Sequence, residues 1–307
     1  MPLLQGANTQ QEVLNRAWVN SINQLQKKRW TNINALKGIL GNIGKDIKKE
    51  IDKVVELAKF GKVDEVTSLQ RLALLTNEIR NLSKGLGYDI NANLERDLVD
   101  IYRNSYYRSA WQLDIATPEL TNINFAMLSV DQIRAAIVSQ FKGGMFSERL
   151  FRISDEIAGE IQADITRGIL LGRGIDETAE EVYVKFGDEG SGYFWRAQRI
   201  ARTETIRARE LGRIQLYKEN ADLIEEEEWI NMESACEECQ DLAERCNEGG
   251  ETGLEPIIDS HPNCVCTKRA KLKPWDELAG GSDQPEGPKY NPFDEWAAEK
   301  GIEGVTE

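Results

Sequence analysis

Two short pairs of sulfur and nitrogen ligands lie in the C-terminal third of this chain, which otherwise uses such residues sparingly. Cys236 and Cys239 form a CxxC pair, and His261 and Cys264 form an HxxC pair with Cys266 two residues further on. His261 is the single histidine of the chain. Each pair can offer two ligands from one tight turn, and the glycine-rich loop between the pairs allows both turns to meet around one tetrahedral ion.

Thiolates and a neutral imidazole are the ligands that Zn²⁺ favours. Four protein ligands would leave no open position on the ion, so the site would be structural rather than catalytic. The sequence therefore predicts a structural zinc site whose ligands are Cys236, Cys239, His261 and Cys264, with Cys266 as the alternative fourth ligand. Cys246 lies in the intervening loop and is the expected non-ligand.

Three other interpretations of the cluster remain open at this point. The thiols could be small buried groups packed beside a hydrogen-bonded histidine, with no metal. A redox CxxC would require a strand-to-helix context and a lowered thiol pKa, whereas the acidic flanks here would raise the pKa. A cysteine–histidine nucleophile would need an oxyanion hole and a third orienting group, and the sequence indicates neither.

A second group with chemical potential lies just before the cysteines, in a helix predicted over about residues 193–219. It carries six arginines, Arg196, Arg199, Arg202, Arg207, Arg209 and Arg213. One interpretation is a surface that meets DNA phosphates or an acidic partner. The other is a solvated helix laced with salt bridges, in which Glu204 pairs with Arg207 or Arg199.

Composition limits the function classes. The chain has 307 residues and a formal net charge of −14, so as a whole it is not attracted to nucleic acid. No apolar run reaches the roughly 20 residues that cross a bilayer, and we expect no membrane span. The N-terminus lacks the features of a secretory signal, which indicates a cytosolic chain with reduced thiols.

Hydrophobic periodicity predicts an α+β protein that is mainly α-helical, with a small β-rich unit around the Cys/His knuckle. Helices are expected before "KGLG" at residues 84–87, over about 91–114, and through Ile153, Ile157 and Ile161. The predicted domains are a helical N-terminal part over 1–128, a second domain over 129–273, and a flexible acidic tail over 274–307. The motif "NPFDEWAAEKG" in that tail could alternatively dock on a partner.

The order of motifs resembles a known family. "RIARTETIRARELG", a tryptophan in "EEEEWIN", "CEECQDL" and "HPNCVC" follow one another as in the bacteriophage minor head proteins, also called head morphogenesis proteins of the Mu F-like family. The resemblance covers about residues 150–272. Three positions depart from it: Val265 stands where an arginine is usual, "MESAC" lacks the common Asp-x-Arg, and Ala243 replaces a frequent glycine.

The resemblance implies a non-enzymatic minor component of the phage head, in the virion and earlier in the host cytoplasm. Its expected partners are the portal oligomer, possible further contacts with the scaffold or major capsid protein, and double-stranded DNA that it helps retain or deliver. The alternatives from other classes are a metal-dependent nucleic-acid-modifying enzyme, using an open metal position or Glu204, and a stand-alone zinc DNA-binding module.

Overall fold

Long helices and one small sheet make up the chain in a computed structural model, which describes residues 9–59, 65–118, 123–138, 146–170, 193–232, 235–279 and 291–305, with isolated positions in 177–185. The helices are α1 (Gln10–Lys59), α2 (Glu65–Ala116), α3 (Val130–Val138), α4 (Phe146–Leu170), α5 (Tyr193–Glu219), α6 (Glu237–Asn247), α7 (Trp275–Leu278) and α8 (Phe293–Glu299). The strands are β1 (Ile224–Ile230) and β2 (Thr267–Leu272). The predicted α+β, mainly helical class is confirmed.

The sheet joins the two strands that flank the Cys/His segment. β1 and β2 pair in antiparallel fashion, with Glu228 opposite Arg269 and Trp229 opposite Lys268, and the register shifts between Ile224 and Glu226. The sheet therefore brings the end of the arginine helix, through β1, next to the residues that follow Cys266.

One predicted helix boundary is wrong. "KGLG" at 84–87 was expected to end a helix, but α2 continues through it to Ala116. A Cβ at Gly85 would meet no atom within 4 Å, so this glycine has no visible packing role. Two glycines in a helix interior cost about 1 kcal/mol each, which the length of the helix can offset. The predicted end near Pro118 agrees with the structure.

The chain divides into two units at positions that differ from the predicted domain limits. One unit comprises Met1–Trp30, Arg96–Ser139 and Arg202–Glu307, and the other comprises Thr31–Glu95 and Gln140–Ala201. The Cys/His segment thus shares its unit with both ends of the helical N-terminal part. Trp18 of α1, for example, donates its indole N–H to the carbonyl of Lys268 in β2 at 3.2 Å.

Part of the predicted flexible tail is folded into the core of that first unit. Phe293 and Trp296 are almost fully buried. Their rings lie 5.8 Å from those of Trp111 and Phe125, respectively. The indole of Trp296 also donates to a carboxylate oxygen of Asp114 at 2.6 Å. "NPFDEWAAEKG" therefore docks within its own chain, because its two large aromatic side chains bury apolar area there. Residues 280–290 lie outside the described part.

None of the described helices combines the length and apolar character needed to cross a membrane.

Candidate metal centre

The first ligand pair is positioned by the start of α6. Cys236 is the N-cap residue, with an extended backbone, and Cys239 lies in the first turn. Gln240 donates its N–H to the carbonyl of Cys236 at 3.0 Å, which closes that turn. A three-residue separation on a helix start places the two sulfur atoms on one side, so the local fold alone aligns the CxxC pair.

The second pair lies on a tight turn that runs directly into β2. The N–H of Cys264 donates to the carbonyl of His261 at 3.2 Å. Asn263, inside this turn, has a φ of 74°, a left-handed conformation that asparagine tolerates better than most residues. The sheet register then fixes the turn, because Thr267 is the first residue of β2.

The donor atoms of both pairs converge. Nε2 of His261 lies 3.1 Å from Sγ of Cys236 and 3.2 Å from Sγ of Cys239, and Sγ of Cys239 lies 3.6 Å from Sγ of Cys264. In a tetrahedron with metal–sulfur bonds of about 2.3 Å, neighbouring ligand atoms are roughly 3.5–3.8 Å apart. The triad of Cys236, Cys239 and His261 is therefore close to the spacing of a metal site and could hold a metal ion, and Cys264 adjoins it through Cys239.

The histidine presents the correct nitrogen. Its Nδ1 lies 2.9 Å from the carbonyl oxygen of Pro262. Because a carbonyl can only accept, Nδ1 carries the proton, which in a neutral ring leaves the lone pair of Nε2 facing the thiols. Metal-binding histidines usually have such a partner on their second nitrogen.

Cys266 is the fifth candidate, and it lies beside the others. Two triads share Cys239, one with Cys236 and His261 and one with Cys264 and Cys266. The hydrogen bond from the Cys266 thiol is the main reason that the pKa of Cys264 falls to about 5, whereas burial raises the pKa of Cys239 to about 12.

The thiol of Cys266 also has its own acceptor. Its Sγ lies 3.5 Å from Oδ1 of Asn231. A thiol has one proton, so Cys266 can donate to Asn231 or to Cys264 but not to both, and the geometry leaves Cys264 and Cys266 as alternative fourth ligands beside Cys239. Cys246, the expected non-ligand, belongs to neither triad.

Helix α5 contacts the backbone of the segment that carries the second ligand pair. Oγ1 of Thr203 accepts the N–H of Asn263 at 3.0 Å, and the guanidinium of Arg209 donates to the carbonyl of Cys266 at 3.0 Å. Both contacts hold the backbone of the second turn. The segment "ARTETIRARELG" of α5 thus positions the segment "HPNCVC" through hydrogen bonds to its backbone.

A fully buried carboxylate, Glu210, binds two arginines of the same helix. Glu210 has no exposed surface, and its two oxygens accept from Arg209 at 2.7 Å and from Arg213 at 2.9 Å. Burial would raise the pKa of Glu210, but the charges of Arg209 and Arg213 outweigh it and hold that pKa below its usual value. Arg213 also pairs with Glu227 of β1 and with Glu255, which lies in the loop between α6 and β2.

This burial corrects the predicted DNA or partner surface. Arg207, Arg209 and Arg213 are at most 7% exposed, and Arg207 donates to the carbonyl of Ile137 and pairs with Glu204. These three side chains bind within the protein and cannot meet a phosphate. The solvated-helix interpretation is equally wrong for them, although its pairing of Glu204 with Arg207 is present at 3.4 Å.

The other three predicted arginines lie in different surroundings. Arg202 is half-buried, and that burial lowers its pKa while the negative charge of Cys264 opposes the shift. Arg196 pairs with Glu160 at 2.6 Å, and Arg199 is exposed. The structure therefore distributes the six arginines among different environments instead of aligning them on one face.

Sequence reasoning missed the acidic partners of Arg213. Glu227 lies in β1 and Glu255 lies in the loop before His261, 14 and 42 residues away. The one signal in the sequence is the run of glutamates that follows α5, and spacing alone does not pair any of them with Arg213.

Comparisons with known proteins identify no relative: no family model matches the chain, nor does any curated protein or solved structure.

The buried network leads to a first prediction. Arg213→Ala should lower the free energy of unfolding by about 3–5 kcal/mol, because it leaves Glu210 buried with one cation fewer. Urea unfolding measures the change. Arg199→Ala, an exposed position on the same helix, is the matched control and should change stability by less than about 0.5 kcal/mol. Similar small effects of both substitutions would contradict a structural role for Arg213.

Proposed function

We propose that this chain is a minor structural protein of a bacteriophage head, associated with the portal vertex and acting in head morphogenesis and in DNA retention or delivery. The observation that carries the proposal is the contact between the resembling motifs. Thr203 and Arg209 of the "ARTE" helix hold Asn263 and Cys266 of "HPNCVC". Because the two motifs contact each other in the fold, the resemblance extends to a packed structural unit and is not limited to short matches in the sequence.

The departures from the family pattern are compatible with this packing. Val265, which replaces an expected arginine, is only 8% exposed, and an apolar side chain suits such a position. The guanidinium of Arg202 lies close enough to Cys264 for the thiolate charge to oppose the burial-driven fall in the pKa of Arg202. A cation near the thiolates is therefore retained, although it comes from α5 and not from the loop.

The metal in this proposal is Zn²⁺, bound by Cys236, Cys239, His261 and Cys264. Three sulfur ligands and one nitrogen ligand fit zinc better than magnesium or calcium, which prefer oxygen. When bound, the ion supplies four bonds that join the start of α6 to the turn before β2. Three thiolates and a neutral imidazole around Zn²⁺ leave a net charge of −1, which the Arg202 guanidinium can balance.

The proposed role is docking and assembly, without catalysis. The partner is the portal oligomer, with possible further contacts to scaffold or major capsid protein, and the site of action is the head interior or portal vertex. A role in DNA delivery would be exerted through the portal, since Arg207, Arg209 and Arg213 are engaged internally. A stand-alone DNA-binding module has lost its main candidate surface.

Among the residues that the structure describes, no observation supports an enzymatic role. Glu204, the candidate general base, is 1% exposed and paired with Arg207. A carboxylate in that position cannot reach a substrate from solvent. If Cys236, Cys239, His261 and Cys264 all bind the ion, as proposed, they fill a tetrahedral ion and leave no position for a reacting water.

We expect the purified chain to contain about one zinc per molecule by elemental analysis. Cys239→Ser should abolish this, because Cys239 belongs to both triads. Cys246→Ser removes a thiol outside the triads and should leave the zinc content unchanged. Folded, metal-free wild-type protein, or equal zinc loss in both variants, would refute the assigned ligand set.

The portal association is tested by co-expression with the cognate portal protein. The two proteins should co-purify as one complex, and the chain should be detected in purified virions by mass spectrometry. The Cys246→Ser variant, which preserves the proposed zinc site, should behave like the wild type. Failure to associate with the portal, together with absence from virions, would reject the proposed function.

A further inference from the structure

Three of the cysteines, Cys239, Cys264 and Cys266, form a buried group of their own, which we call the inner triad. These residues are 1%, 2% and 0% exposed, respectively. Their Sγ atoms all lie within 4.8 Å of one another. A four-ligand zinc set that includes Cys236 and His261 uses only two of these thiols. One buried sulfur atom of the inner triad is therefore left without a role in the proposed zinc site.

The spacing of the inner triad fits three ligands around one ion. With metal–sulfur bonds of about 2.3 Å, three sulfur atoms in one plane with an ion are roughly 4.0 Å apart. The Sγ atoms of Cys239 and Cys264 are 3.6 Å apart, and no pair of the triad exceeds 4.8 Å. Cys239 is held by the first turn of α6, and Cys266 directly precedes β2. The three sulfur atoms can thus surround an ion within the present fold.

Hydrogen-bond donors are already directed at the sulfur atoms of this group. The backbone N–H of Cys266 and the hydroxyl of Ser260 hydrogen-bond the sulfur of Cys264, and the backbone N–H of Met232 hydrogen-bonds that of Cys266. The guanidinium of Arg202 lies near Cys264 and offsets part of the charge of a thiolate there. Such outer partners stabilise thiolates and orient them as metal ligands.

The number and type of ligands in the inner triad select a class of ion. Structural zinc is almost always four-coordinate, and a group that is at most 2% exposed offers no access for water as a fourth ligand. Magnesium and calcium prefer oxygen ligands. Cu(I) is a soft ion that prefers thiolates and is stable with three of them. A buried trigonal group of three sulfur atoms therefore fits Cu(I).

We propose that the inner triad binds one Cu(I) ion through the sulfur atoms of Cys239, Cys264 and Cys266. Three thiol protons leave and three copper–sulfur bonds form, with no change in the oxidation state of copper or sulfur. The inference rests on these three residues alone, and neither the portal role nor the zinc is needed for it. Since the proposed zinc set also includes Cys239, zinc and Cu(I) compete for that sulfur atom.

The probe is Cu(I) itself, supplied to the purified full chain without oxygen as its coloured complex with bathocuproine disulfonate. Loss of the absorbance of this complex should show transfer of about one Cu(I) per chain. The X-ray absorption spectrum of the loaded chain should contain three sulfur neighbours of copper and no nitrogen neighbour. The loaded chain should also luminesce, as Cu(I) thiolates do when they are shielded from water.

Two cysteine variants separate the inner triad from the CxxC pair. Cys266→Ser should weaken Cu(I) binding by about 100-fold or more, since loss of even an outer partner of a metal site costs about 10–100-fold. It should retain zinc, because Cys264 remains as a ligand. Cys236→Ser keeps the inner triad and should bind Cu(I) as the wild type does, while it loses zinc. Cys246→Ser, a thiol outside both triads, is the control and should change neither ion.

Three results would each overturn the proposal: no transfer of Cu(I) to the wild type, equal affinity of the wild type and Cys266→Ser, or loss of Cu(I) binding in Cys236→Ser. The third result would place copper at the CxxC pair. If Cys266→Ser fails to fold, as judged by circular dichroism, the Cys236→Ser variant and the X-ray absorption spectrum decide. A chain that binds Cu(I) in this way but contains no zinc would refute the zinc set and support the inner triad.

Discussion

A carboxylate with no exposed surface, Glu210, is the constraint on which the first unit depends. A buried charge is tolerated only when it is paired and hydrogen-bonded, and Glu210 meets this condition through Arg209 and Arg213. Each of these cations then binds a different part of the fold. Arg209 reaches the carbonyl of Cys266, while Arg213 reaches Glu227 of β1 and Glu255. The helix, the sheet and the loop before the metal centre are therefore fixed by one ionic network.

The candidate metal centre lies where this network ends. The turn that carries His261 and Cys264 is held from α5 by Thr203 and Arg209, and it leads into β2. The proposed zinc would then join α6 to the same turn. The turn would thus be held to α5 by hydrogen bonds and to α6 by the metal. A unit held together in this way is compatible with the proposed docking role.

Some of this could be predicted from the sequence because it depends on local spacing. The CxxC and HxxC pairs identified the cluster, since each pair is positioned by a single turn. Helical periodicity gave the class of the fold. The surroundings of the arginines could not be predicted in this way, because a three-residue spacing is the same on a solvated face and on a buried one. Whether Arg213 is solvated or buried depends on its acidic partners. One of these, Glu255, is 42 residues away in the sequence, so the local spacing carries no information about it. The docking of Trp296 on the core could not be predicted either. It depends on Trp111 and Phe125, which are remote from Trp296 in the sequence.

Coupling between the metal centre and the Glu210 network is tested most directly by hydrogen exchange of the full chain, with metal and after chelation. If the two form one cooperative unit, chelation should accelerate exchange at the slow amides of Thr203–Arg213 in α5 and of β2 by at least tenfold. The amides of α4, in the other unit, should be unaffected. Acceleration confined to residues 236–266, with the amides of α5 unchanged, would contradict a metal centre built on the arginine helix.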